Sequence, residues 1–284
     1  MSIIQAVLLG ILQGLTEFLP VSSSGHLAIF QNLFHIGEGT DDLFLFDILL
    51  HLGTLISIFV VFFKDIAKLV TEFVGMLHDF ILNVPRWIRR EPARRVLRTS
   101  YRRFVVMIII STIPTGIIGL ILKDLVEDAS KTLIIPGICF LMTSALLFLA
   151  DRMPEGFKTP RDASYGHAAL VGIAQGFATL PGLSRSGTTL TTCLMCGFDS
   201  RFAVKYSFIM SIPAVLGAAI LEIKDAAGSS IELSYIIGML VAAVIGFVAI
   251  KFMLVLVRNR KYIFFSIYCL IAGIIAIVGH FVTK

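Results

Sequence analysis

The chain has 284 residues, of which 57% are hydrophobic and 15% charged, with a mean hydropathy of +0.91, whereas soluble domains are about a quarter charged, so this is the composition of a polytopic membrane protein. The net charge of +5 does not point to nucleic acid, because ten of the 24 basic residues fall between Lys64 and Arg103 in a stretch with no nucleic-acid-binding signature. Four scattered cysteines make no disulfide framework, and Cys193 and Cys196 lack the second pair that a zinc site needs.

In chain order, residues 2–34 are apolar, broken near the middle by "PVSSSGH", then apolar again. Each half is shorter than the ~20 residues a spanning helix needs, so the segment is predicted to be a re-entrant hairpin. Its start has no basic region and no cleavage site, so it is expected to belong to the mature fold. A span is predicted over 43–63, then an amphipathic surface helix over 64–83. The arginine-rich sequence up to 103 reads as a cytoplasmic loop against anionic head groups. Spans follow over 104–122 and 132–150. A second broken segment, 165–198, carries "LPGLSRSGTT" at its centre and reads as another hairpin. Three more spans are predicted over 203–222, 233–257 and 263–282.

The two broken segments are related. "GILQGLTEFLPVSSSG" (10–25) aligns without a gap on "GIAQGFATLPGLSRSG" (172–187), with seven identities in sixteen positions. The matches are mostly Gly, Gln and Ser, which points to an internal duplication. One membrane domain, 1–284, is therefore expected, with a first repeat over 1–150, including the basic loop 64–103, and a second over 165–284. A hairpin plus three crossings makes an odd total, so the second repeat is predicted to be inverted. Loop 35–42 has no Lys or Arg, whereas 64–103, 151–162 and 258–261 are basic. Loops 123–131 and 223–232 are mixed or acidic. This asymmetry places both termini outside and the basic loops inside. Non-helical backbone at membrane depth must be buried or line a wet cavity, so the two polar tips are expected to meet in a pocket.

Ionisable groups inside membrane segments are costly and usually functional. Gln13 and Glu17 share a helix face. Glu17 can hold a hard cation such as Mg2+ together with substrate phosphates, act as a general base, or simply neutralise Arg185. Ser23 can become a nucleophile if a base lies within reach. His26 can be that base or attack phosphorus itself, while the neighbouring serines can instead cap the following helix. Arg185 can clamp a phosphate bidentately, at a helix start that also favours anions. It falls at the position matching Ser23. Asp47 and His51, four apart, can orient these groups or bond to each other. Together these are parts for phosphoryl transfer on an anionic lipid.

The motifs "QGLTEFLPVSSSGH" and "PGLSRSGTT", with "FDILLHLGT" in support, resemble the bacterial undecaprenyl-diphosphate phosphatase family of the integral-membrane bacitracin-resistance type, over essentially the whole chain. The resemblance implies an all-α fold of six spans and two re-entrant hairpins in inverted repeats. It implies hydrolysis of the C55 diphosphate to the monophosphate carrier of wall synthesis, in the bacterial inner membrane with the active site towards the outer face. It further implies a divalent cation, Mg2+ or Ca2+, with Glu17 and Gln13 as its ligands. Glu17, Ser23, His26 and Arg185 match the family's catalytic positions, although Gln13 stands where a second carboxylate is common. Ser22, Ser24, Ser184, Ser186, Gly187 and Thr188 are then expected to contact substrate. Expected partners are the isoprenoid diphosphate and membrane lipids, no nucleic acid, and a second copy of the chain in a homodimer. The acid-phosphatase-like lipid phosphatases are excluded: there is no Arg-Pro dipeptide, and Thr191 stands where they need His. The rival reading is a flippase or transporter of the same lipid, because broken helices in inverted repeats also build transporters.

Overall fold

The structure is a computed structural model that describes residues 1–33, 42–225 and 232–282. Most of the expected loop 35–42 and the centre of loop 223–232 lie outside the described residues. The described residues are helical nearly throughout, apart from two isolated bridges joining 156–158 to 198–199.

Each broken segment forms two short helices. The first is α1 (Ile3–Phe18) and α2 (Ser23–Leu33). A reciprocal cap opens α1: Gln5 N–H donates to Ser2 Oγ at 3.2 Å, and Ser2 N–H donates to Gln5 Oε1 at 3.0 Å. The helix stops at Leu19, which is extended because Pro20 follows it. From α3 (Asp42–Val61) the chain turns by 84° into α4 (Phe63–Ile88). A helix thus covers the predicted 64–83, beginning one residue earlier and running five residues further.

The α4 helix exposes Val70, Phe73, Val74, Leu77 and Ile81 on one side. Its acidic side is tied to α5 (Ser100–Ile121), where Arg102 donates to Glu72 at 2.8 Å and to Asp79 at 2.6 Å. Asp65 accepts from Tyr101 Oη at 2.7 Å and from Lys205 at 2.8 Å. Arg102 beside Asp79 holds that carboxyl below the ordinary carboxylate range.

The segment 123–131 is not a plain loop: Lys123–Ser130 forms a short helix, α6, with Asp124 in its first turn, where the helix dipole favours an acid. Then come α7 (Ile134–Arg152), the second broken pair α8 (Tyr165–Phe177) and α9 (Arg185–Met195), and the long helices α10 (Ser200–Asp225), α11 (Leu233–Asn259) and α12 (Ile263–Val282). Among the described residues five helices are long and apolar enough to cross a membrane, or six if the bent α3–α4 pair is counted as one span. This is a multi-pass membrane fold.

Glycines set how the helices meet. A Cβ on Gly10 would lie 2.5 Å from Gly238 O, and one on Gly14 would lie 2.8 Å from Ile245 Cβ, so α1 lies flat on α11 and runs with it. A Cβ on Gly172 would lie 2.2 Å from Ser111 O, and one on Gly176 would lie 2.7 Å from Ile118 Cβ, so α8 lies on α5 in the same manner. The matched glycines thus meet partners seven residues apart in both helices. Gly53 and Ser57 of α3 meet Met239 and Ala243, so α3 also runs with α11. Phe104 and Ser111 of α5 meet Phe202 and Tyr206, so α5 runs with α10. But α3 and α10 are antiparallel: Asp65, just past the end of α3, pairs with Lys205, while Ile48 shares a cavity with Ala214 and Ala218. The directions therefore place α1 and α8 head to tail with one another.

Candidate active site

The tips of the two broken segments touch. A Cβ added to Gly25 would lie 2.7 Å from Gly182 Cα and 2.8 Å from the Phe140 ring, while one added to Gly187 would lie 3.3 Å from Pro20 Cβ. These two contacts exchange under the sixteen-residue alignment, since Gly25 matches Gly187 and Pro20 matches Gly182. Ser186 Oγ donates to Leu19 O at 3.0 Å across the same seam.

The helices after the two breaks begin alike. Gly25 N–H donates to Ser22 Oγ at 3.4 Å, and Gly187 N–H donates to Ser184 Oγ at 3.1 Å. In each tip the capping serine also approaches a second one: Ser22 to Ser24 at 3.4 Å and Ser184 to Ser186 at 3.3 Å. They differ in backbone. Ser184 caps from the extended region, whereas Ser22 has φ +68°, the left-handed conformation that costs a residue with a side chain about 1–3 kcal/mol. In the second tip the left-handed residue is Gly182, at φ +91°.

Between the tips lies a cavity of about 300 Å³. Its polar end carries Glu17, Ser23 and Arg185. Glu17 ends α1, Ser23 opens α2 and Arg185 opens α9. Ser23 Oγ donates to Glu17 Oε2 at 2.5 Å, and an Arg185 guanidinium N–H donates to Glu17 Oε1. Gln13 Nε2 donates to Glu17 Oε2 at 3.0 Å, and His51 Nδ1 stands 3.6 Å from that oxygen. One carboxylate thus gathers the hydroxyl, the guanidinium, the amide and the imidazole. Glu17 is buried and Arg185 nearly so, which makes their attraction far stronger than in water.

Ser22, Ser24, Ser184, Ser186 and also His51 line the cavity. Gln13 lies behind Glu17. Asp47 accepts from Gln31 Nε2 at 3.0 and 3.2 Å. Gly187 lies at the seam, and Thr188 is buried with its hydroxyl unpartnered; neither lines the cavity.

His26 departs from the expectation that it serves Ser23. Its Nδ1 is 2.6 Å from Ser22 O, its Nε2 is 2.6 Å from Tyr268 Oη, and it does not line the cavity. Both ring nitrogens are engaged elsewhere, and the Ser23 hydroxyl donates instead to Glu17. Sequence reasoning missed Tyr268, a lone phenol in an apolar span, and also Gln175, Thr115 and Thr179, which line the cavity away from Glu17. Gln175 matches Gln13 in the alignment, and that identity was the one available signal for it.

Among the described residues no three His, Cys, Asp or Glu side chains cluster as a metal cage. For a cation the site holds Glu17 at the cavity's polar end and, behind it, Gln13 Oε1, a buried oxygen with no hydrogen-bond partner. That donor set fits Mg2+ or Ca2+ taking its other ligands from phosphate oxygens and water.

The chain matches a family model described as bacitracin resistance protein BacA over residues 6–275. It is similar to proteins named undecaprenyl-diphosphatase from Methanosphaera stadtmanae (39% identity, 98% of each chain), Alkaliphilus metalliredigens (40%, 98% of each) and Treponema denticola (41%, 96% of each).

Proposed function

The chain belongs to the bacitracin resistance protein BacA family and is an undecaprenyl-diphosphatase; we propose that the cavity between the two tips is where it removes the terminal phosphate. The observation that carries this reading is the single carboxylate of Glu17 bound at once to Ser23 Oγ and to Arg185.

In the free protein Arg185 neutralises Glu17. An arriving diphosphate offers the guanidinium two or more anionic oxygens in the fork geometry it prefers, so Arg185 turns from Glu17 to the phosphate. The released Glu17 carboxylate takes the proton of Ser23. Ser23 Oγ then bonds to the terminal phosphorus, and the bond from that phosphorus to the bridging oxygen breaks. The prenyl monophosphate leaves with that oxygen, and the phosphoryl group stays on Ser23. The proton held by Glu17 passes to the departing monophosphate. Glu17 then deprotonates a water that bonds to the phosphorus, and the bond from Ser23 Oγ to phosphorus breaks. Inorganic phosphate leaves, and the proton returns from Glu17 to Ser23 Oγ. Free amide N–H groups at the starts of α2 and α9 add positive potential where charge builds up. A divalent cation held by Glu17 and Gln13 Oε1 would neutralise phosphate charge when bound.

The positive-inside asymmetry supports an orientation with the basic α4–α5 connection in the cytoplasm and the cavity reached from the outer face of the inner membrane. The opposed directions of α1 and α8 support a duplicated, inverted chain of two halves, 1–150 and 165–284. The prenyl tail lies along the apolar wall formed by Ile48, Ala214, Val215 and Ala218.

The test is phosphate release from undecaprenyl diphosphate by purified protein in detergent micelles, where no two sides exist. Wild type is expected to release phosphate and Ser23→Ala not to. Release at the wild-type rate by Ser23→Ala removes the serine from the reaction, and no release by either protein favours a flippase.

A further inference from the structure

Tyr268 of α12 reaches across 242 residues of sequence to His26 with an Oη–Nε2 distance of 2.6 Å. No motif contains it, and the residue is 48% exposed. Its covered part includes the ring face stacked on the His26 imidazole, to which it also presents its hydroxyl.

The direction of that bond follows from the other side of the ring. His26 Nδ1 is 2.6 Å from Ser22 O, and a carbonyl oxygen only accepts. Nδ1 therefore carries the proton. In the neutral ring Nε2 is then the acceptor, and Tyr268 donates to it. The Phe140 ring meets the imidazole edge-on at 5.1 Å and 88°, while the Tyr268 and His26 ring planes lie within 6° of parallel. The imidazole is fixed in tautomer and in orientation.

What the ring holds is the carbonyl of the one strained residue in the tip. Ser22 is left-handed at φ +68° and immediately precedes Ser23. Its hydroxyl makes only contacts of 3.4 Å. Its carbonyl accepts twice, from His26 N–H at 3.3 Å and from Nδ1–H at 2.6 Å. A relaxed Ser22 would rotate the following peptide and swing Ser23 Oγ away from Glu17. The second tip needs no such clamp, because its left-handed position is a glycine.

We propose that Tyr268 is a positioning residue of the phosphatase reaction: its phenol locks the His26 ring, the ring holds Ser22 left-handed, and Ser22 aims the Ser23 hydroxyl at Glu17 and phosphorus. This rests on the reading of Ser23 as nucleophile given above. Tyr268 touches neither substrate nor reacting atoms, so its loss acts on turnover rather than on binding.

The experiment measures kcat and KM for wild type, Tyr268→Phe, His26→Ala, the double variant and His26→Asn in micelles. Removing one hydrogen bond from the relay is expected to lower kcat roughly three- to tenfold with KM nearly unchanged. In the His26→Ala background the same Tyr268→Phe change is expected to cost less than about twofold, since the relay is already cut. Asn at position 26 can still donate from near the Nδ1 position to Ser22 O, so His26→Asn should retain more turnover than His26→Ala and be equally indifferent to Tyr268→Phe. If the losses at Tyr268 and His26 multiply, or if Tyr268→Phe acts through KM, the relay is wrong. Phosphate release that survives Ser23→Ala sinks the nucleophile reading instead; multiplying losses in an enzyme that needs Ser23 sink only the relay.

Discussion

Ser23 Oγ and Glu17 Oε2 face each other at 2.5 Å across the break between α1 and α2. Five residues of chain lie between them, and the turn at Pro20 folds the serine back onto the end of the helix that carries the carboxylate. Glu17→Gln keeps the shape but removes the charge that accepts the serine proton. Turnover should fall about 10²- to 10⁴-fold, the range a general base contributes, and phosphate release from the lipid diphosphate measures it. A variant within a few-fold of wild type would leave Glu17 as a structural partner of Arg185.

Arg185→Ala and Arg185→Lys separate folding from chemistry. The alanine leaves the buried Glu17 carboxylate without its counter-charge, and breaking such a pair costs about 3–5 kcal/mol. Lysine keeps the charge but not the two-pronged donor, so Arg185→Lys should melt closer to wild type while releasing little phosphate. Thermal unfolding in detergent, read beside activity, distinguishes the two.

Gly25 is where the tips press together. Gly25→Ala would place a methyl group 2.7 Å from Gly182 Cα, against backbone that cannot yield without separating the tips. Activity should be lost while the helical circular dichroism signal stays. Gly116 in α5 is the control, because a Cβ there meets nothing within 4 Å. Gly116→Ala should leave turnover intact and add about 0.5–1 kcal/mol of helix stability.

The tie between α4 and α5 is acid-sensitive. The hydrogen bond from Arg102, helped by the charges of Arg98 and Arg94, lowers the Asp79 pKa below its ordinary value. A lowered carboxylate stabilises the fold above its unfolded value of about 3.9 and loses that contribution as pH falls through the folded value. Asp79→Asn should therefore melt below wild type at neutral pH, with the gap closing as the buffer is acidified below about pH 4. A gap independent of pH would mean that the carboxylate's charge plays no part in the tie.

Much of this was legible in the sequence because local chemistry dictated it. Pro20 forces Leu19 into the extended conformation that stops α1, and apolar runs too short to cross a membrane must turn back. Gln13, Glu17, Ser23 and Arg185 could be picked out because polar groups in an apolar chain are costly unless they have work or partners. The partner of His26 could not be found that way. Ser22 O and Tyr268 Oη are placed by tertiary packing, and a tyrosine in α12 leaves no periodic trace linking it to a histidine in α2. The sequence pattern "SSSGH" suggested a serine and its base; the fold instead turns the imidazole towards the backbone. The helix α6 was hidden for a different reason: "KDLVEDAS" is polar and short, and its eight residues hold together only against their neighbours.

The seam between the tips also bears on how the bilayer stays insulating. A wet hollow reaching towards the middle of a membrane is half of a conduction path, and whatever closes its floor must resist both water and ions. Here the floor is glycine against glycine and proline against glycine, with Ser186 stitched to Leu19 O. Beside it, the opposite charges of Arg185 and Glu17 stay paired until an anionic ligand draws the guanidinium away. The close contact of the tips thus leaves their polar chamber without a through-going gap at this seam.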